Sequence, residues 1–124
     1  MLGISGLVAQ LAPANTSTAT LYTQSNLPSL EVSSICVCNT TGTAATFRLH
    51  HDVNGTTYAA GNALYYDKSV PANDSIWIKA ESMGAGISLG EGDSLGVQSG
   101  TANALTFSVY GTGAQVAKSQ IVRN

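Results

Sequence analysis

The chain is 124 residues long and carries five Lys or Arg against seven Asp or Glu, for a net charge of −2 and only 10% charged residues. A balance this close to neutral offers no basic stripe for a nucleic-acid backbone, and no apolar run approaches the roughly 20 residues of a membrane helix. The 44% hydrophobic content excludes the sparse, charged profile of disorder, and the length predicts one domain that buries about two-thirds of its unfolded surface.

Helical periodicity is missing, whereas short alternating runs recur between turn clusters. In chain order, strands are predicted over 6–11, 19–23, 31–39, 45–50, 63–67, 75–80, 86–90, 94–99 and 104–110. Pro13, Asn26, Pro28, Gly42, Gly55, Pro71, Asn73, Gly92 and Asn103 punctuate them, each suited to a turn by a fixed or positive φ or by Asn bonding its own backbone. This spacing predicts an all-β chain, a single antiparallel β-sandwich or jelly-roll-like barrel of about 8–9 short strands. Residues 1–111 form the expected domain, including an N-terminal arm. Residues 112–124, which carry Lys118 and Arg123, are expected to be a tail or an arm reaching a neighbouring subunit.

Alternation also assigns faces. Phe47, Leu49, Ile76, Ile78, Ile87, Leu89, Leu95, Val97, Leu105, Phe107 and Val109 are expected inside. Thr46, Arg48, His50, Trp77, Lys79 and Tyr110 are expected outside. The 31–39 strand is apolar on both sides, with Ile35 and Val37 opposed to Val32, Cys36 and Cys38, and so is expected to be central and covered twice. The Ser-Leu-Gly triplets at 88–90 and 94–96 read as two arms of one hairpin.

No motif for catalysis survives inspection. Gly86-Ile-Ser88-Leu-Gly90 matches G-x-S-x-G, but that nucleophile needs a strand-to-helix turn and a later His. Here a strand follows, and both His50 and His51 precede the serine. Cys36, Cys38, His50 and His51 contain zinc-binding atoms, yet adjacent histidines on a strand point to opposite faces, which leaves three ligands. Two cysteines two apart on a strand, about 6.5–7 Å between Cα atoms with parallel Cβ vectors, do not bridge readily. They are expected reduced and buried. Glu91 and Asp93 share one turn, too few ligands for calcium. No catalytic, cofactor or metal residue is assigned, and no cofactor is expected. With no Lys or Arg in residues 1–14, the charged start of a secretory signal is missing, which with free thiols points to a reducing compartment.

What stands out is a surface of Ser, Thr, Asn, Gly and Ala where charge normally keeps a free monomer soluble. Trp77, Tyr65, Tyr110 and Lys79 are the interface candidates on it, because an exposed aromatic is either a protein-interface anchor or a sugar platform.

The segments at 6–13, 21–23, 32–49, 64–78 and 86–111 together resemble a family of small virion proteins of tailed bacteriophages. The serine-flanked strand running into Cys38 and Asn39, followed by Phe47-Arg48-Leu49, is the most specific part. Tyr65-Tyr66-Asp67 and Pro71-Ala72-Asn73-Asp74 support it. The resemblance implies a β-sandwich, not an enzyme, that assembles as a homo-oligomer (a trimer as first expectation) on the virion after assembly in the host cytoplasm. Its implied partners are itself and the major capsid protein or other virion proteins, with no nucleic acid and no membrane. Capsid decoration (cement) is the first role implied. A neck, tail or baseplate part is the alternative, and the exposed aromatics, apart from the resemblance, add a carbohydrate-binding adhesin module as a further one.

Overall fold

A computed structural model of the chain describes residues 3–25, 29–79 and 87–114. Nine strands lie within them: β1 (Gly3–Leu11), β2 (Ala19–Thr23), β3 (Ser29–Asn39), β4 (Ala45–Asp52), β5 (Ala63–Val70), β6 (Ser75–Lys79), β7 (Ile87–Gly90), β8 (Ser94–Ser99) and β9 (Leu105–Ala114), with one short 3-10 turn at Ala60–Asn62. The strands pair into two antiparallel sheets. Sheet 1 has the order β1-β9-β3-β6, with β7 also paired to β3; sheet 2 has the order β2-β8-β4-β5. The fold is the all-β sandwich expected from the alternation. The boundary expected at residue 111 falls inside β9, whose pairing with β1 and β3 continues to Ala114, and 115–124 lie outside the described residues.

The core lies between the sheets. Leu30, Ile35, Val37, Leu89, Phe107 and Val109 of sheet 1 meet Phe47, Leu49, Leu95 and Val97 of sheet 2, all 0–1% exposed. Phe47 and Phe107 meet edge to face, with centroids 5.9 Å apart. Each such side chain contributes about 1.5–3 kcal/mol by leaving water.

Three expectations are corrected. First, β7 and β8 are not a hairpin: β7 pairs with β3 in sheet 1, and β8 with β2 and β4 in sheet 2. Residues 90–93 are therefore an arch between sheets. The Asp93 carboxylate accepts the Gly90 N–H at 2.9 Å and the Asn54 N–H at 3.0 Å. The Gln24 backbone donates to Asp93 O at 2.8 Å and accepts from Gly92 N at 2.9 Å. Gly92 has φ +90°, and a Cβ there would meet Asn54 Oδ1 at 2.7 Å, so this corner requires glycine.

Second, β3 is covered on one face only. Its pairing with β9 shifts between Val32 and Ser34. This bulge changes the parity, so Val32 joins Ile35 and Val37 in the core at 2% exposure or less. Cys36 and Cys38, free thiols, are half-buried on the outer face and not in the core.

Third, His50 points away from the core with Arg48 but is 3% exposed, because the 53–62 segment folds over sheet 2. Its Nδ1 lies 3.0 Å from Ala59 O and 3.1 Å from Asn62 Oδ1. The Tyr58 ring lies so flat on Gly96 that a Cβ there would be 2.6 Å from three ring carbons. The Tyr58 hydroxyl donates to Ser94 Oγ at 2.9 Å, which ties the flap to β8.

Candidate functional site

The outer face of sheet 1 is built from β1, β9, β3 and, at the far edge, β6 and β7, whose outward residues line up in rows. Gln10, Ser108, Cys36 and Trp77 form one row; Leu7, Tyr110, Ser34 and Lys79 the next; Ser5, Thr112, Glu31 and Ser88 a third. Glu31 and Lys79 are the charges in these rows. Trp77 on β6 is 50% exposed and Leu7 on β1 54% exposed. The Trp77 and Tyr110 rings lie 5.8 Å apart at 36°, although their strands are two spacings, or about 9.5 Å, apart. Ser34 and Cys36 on the intervening β3 are short enough for the rings to lean over them. Such a pair contributes about 0.5–1.5 kcal/mol beyond its buried area. Burial pushes the Cys36 thiol above its ordinary range, partly opposed by a hydrogen bond with Ser75.

Of the sequence candidates, Trp77, Tyr110 and Lys79 come together on this face. Tyr65 does not: on β5 of sheet 2 it turns inward, half-buried, with its ring 5.9 Å from Phe47. Leu7 escaped sequence reading, since the bulge between Leu7 and Ala9 shifts the alternation that would have marked it as outward.

Sheet 2 has a different exterior. Arg48 lies 3.8 Å over the exposed Tyr66 ring, donates from Nε to Asp67 Oδ1 at 2.8 Å and from Nη2 to Oδ2 at 3.3 Å. Asp67 itself has φ 56°. A hollow of about 90 Å³ beside them is lined by Thr46, Phe47, Arg48, Asp67, Gln98 and Gly100, well under the several hundred Å³ of a ligand pocket. The Arg48 hydrogen bond holds the Asp67 carboxyl below its ordinary range. A carboxyl depressed in the folded state adds stability above its unfolded pKa, and that stability is lost as pH falls through the folded value. Thermal melts of Asp67→Asn against the parent should therefore differ at neutral pH and converge below the ordinary Asp range. The gap will be small, because both partners are solvent-exposed.

The chemistry-bearing residues do not assemble. Ser88 Oγ donates to Glu31 Oε2 at 2.6 Å on sheet 1, while His50 and His51 are on β4 of sheet 2. The same separation keeps Cys36 and Cys38 from the histidines. No group of three or more His, Cys, Asp or Glu is close enough to hold a metal ion among the described residues. Asp93 is committed to the arch, with His51 Nε2 4.0 Å from its Oδ2.

The fold and face define a β-sandwich whose sheet 2 is covered in part by its own 53–62 flap, with Leu64 and Tyr66 still exposed on β5, and whose sheet 1 presents a near-neutral face carrying Trp77 and Leu7. No family model and no curated protein matches the chain. Among solved structures it is similar to a chain in the structure of infectious bursal disease virus Gx strain, at 17% identity and TM-score 0.46 over 90% of this chain and 30% of that one. It is also similar to the VP2 subviral particle of infectious bursal disease virus, at 15% identity and TM-score 0.44 over 94% and 33%. A third similarity is to the T13 viral particle of that virus, at 13% and 0.38 over 94% and 31%. The chain spans about a third of the length of the chains it matches.

Proposed function

We propose that this is a virion structural protein that acts by burying the outer face of sheet 1 against other subunits, first as a homo-oligomer (a trimer) and then against a capsid lattice as a decoration protein. The observation that carries this reading is Trp77, 50% exposed and packed on the partly buried Tyr110 ring, with Leu7 beside it, on a face with Glu31 and Lys79 as its charges. Burying such a face removes little charge from water, the main penalty in polar association. A standard interface buries about 800 Å² per partner, and aromatic residues near its centre carry most of the energy. Several weak contacts to one lattice gain avidity from being linked. The resemblance to small virion proteins of tailed phages supports the same reading, including the major capsid protein as partner. The 115–124 segment is proposed as a further lattice contact. A neck, tail or baseplate part would use the same face at lower copy number, which stoichiometry on purified particles distinguishes.

Trp77→Lys is the test. It should weaken self-association or particle binding by about 30-fold or more, the effect of losing a hot spot of about 2 kcal/mol, while the subunit stays folded with its melting temperature lowered by about 2–6 °C, the worth of the lost ring pair. Binding by the parent should vary weakly with salt. Unchanged assembly mass in Trp77→Lys, or stripping from particles by moderate salt, would overturn the proposal.

A further inference from the structure

The four sheet edges are guarded very unequally. β5 is interrupted by the positive-φ Asp67 and carries Asp67 and Lys68. β6 is five residues long and ends on Lys79, and β7 is four. β2 is five residues with a pairing shift between Thr20 and Tyr22. These are the usual devices against edge-to-edge pairing: short strands, bulges and charge. β1 is nine residues, Gly-Ile-Ser-Gly-Leu-Val-Ala-Gln-Leu, with no charge and no proline. It is bonded to β9 on one side and, among the described residues, is the terminal strand of sheet 1, so its other side presents N–H and C=O groups to a partner. The shift after Leu7 divides it, and Gly6 has φ +103°, a conformation glycine adopts without strain, but 3–7 keep one register with β9, from Gly3 opposite Ala114 to Leu7 opposite Tyr110.

We infer that this 3–7 stretch pairs antiparallel with the same stretch of a second copy, about a two-fold axis at Ser5. That register places Leu7 opposite Gly3 and Ile4 opposite Gly6, so each large residue meets a glycine. An uncharged strand also meets its own copy without like-charge conflict. Glu31 sits two strands from Ser5 in the same row, so the two Glu31 copies lie five strand spacings apart, roughly 24 Å, beyond the Debye length of about 8 Å. Sheet 1 becomes continuous through both subunits, and its bare face doubles. The inference rests on the proposed function in taking a second copy as the occupant. It adds a two-fold contact distinct from the Trp77 face, and a second kind of contact is what joins closed oligomers into a lattice.

The test uses the full chain with Cys36→Ser and Cys38→Ser, to which Ser5→Cys or Gln10→Cys is added. Ser5 and Gln10 are both exposed positions of β1. Directly opposed Cβ atoms about 4.5–5.5 Å apart are close to disulfide geometry. Under mild oxidation Ser5→Cys should therefore form a covalent dimer at least about tenfold faster than Gln10→Cys. In the chain without added cysteine, deuterium uptake over 3–7 should slow as protein concentration rises. Equal crosslinking at the two positions, no dimer from Ser5→Cys, or concentration-independent uptake would each overturn the inference. Adding Trp77→Lys separates the readings: crosslinking through Ser5→Cys persists if the β1 contact is real, whatever happens to assembly through the outer face.

Discussion

Phe47→Ala is expected to lower the unfolding free energy by about 3–5 kcal/mol, the range for deleting a buried phenyl ring. Phe47 is 1% exposed and bridges the layers, with Phe107 across the core and Tyr65 on the neighbouring strand, each with its ring centroid 5.9 Å away. Neither neighbour can collapse into the space without leaving its own strand, so the cavity remains and its cost adds to the lost transfer energy. For a domain of this size each kcal/mol moves the midpoint by about 4 °C. A drop of roughly 12–20 °C should follow in thermal denaturation, and Phe47→Leu should lose far less. A shift under about 1 kcal/mol would mean that Phe47 does not sit at the centre of this core.

Asp93→Ala is expected to be the most damaging polar substitution, at about 2–4 kcal/mol from two charge-assisted hydrogen bonds lost and two backbone donors left without their acceptor. Its carboxylate is 14% exposed and joins the Gly90 amide to the Asn54 amide on the flap loop. Asn at this position keeps one carboxamide oxygen and should recover part of the loss. Chemical denaturation gives the magnitude, and hydrogen exchange gives the place: amides near 90–93 and 53–56 should both open. An aspartate in an ordinary hairpin turn would cost nearer 0.5–1 kcal/mol and leave the flap untouched. This variant therefore reads out the arch directly.

Much of the fold was legible in the residues. All nine strands fall where alternation placed them. Phe47, Leu49, Ile78, Leu95, Phe107 and Val109 are buried as their parity required. The candidate face was half legible: Trp77, Lys79 and Tyr110 are outward, as alternation said, but Tyr65 is not, because β5 places its inward register against Phe47. Cys36 and Cys38 were misread as core because one unpaired residue in β3 reverses the faces on either side of it. Neither a bulge nor a flap such as Tyr58 on Gly96 leaves a period in the sequence.

The chain's own residues thus determine the class, the number of strands, most of the inward set and the scarcity of charge. Those properties depend on neighbours two residues away and on turn chemistry, which are local. Which sheet β7 and β8 join, which face of β3 carries the thiols, which exterior the flap covers in part and which uncharged strand is left at an edge were decided only in three dimensions. An inward-facing residue shows the same alternation whichever strand lies beside it, so pairing partners are chosen by long-range packing that no single segment records.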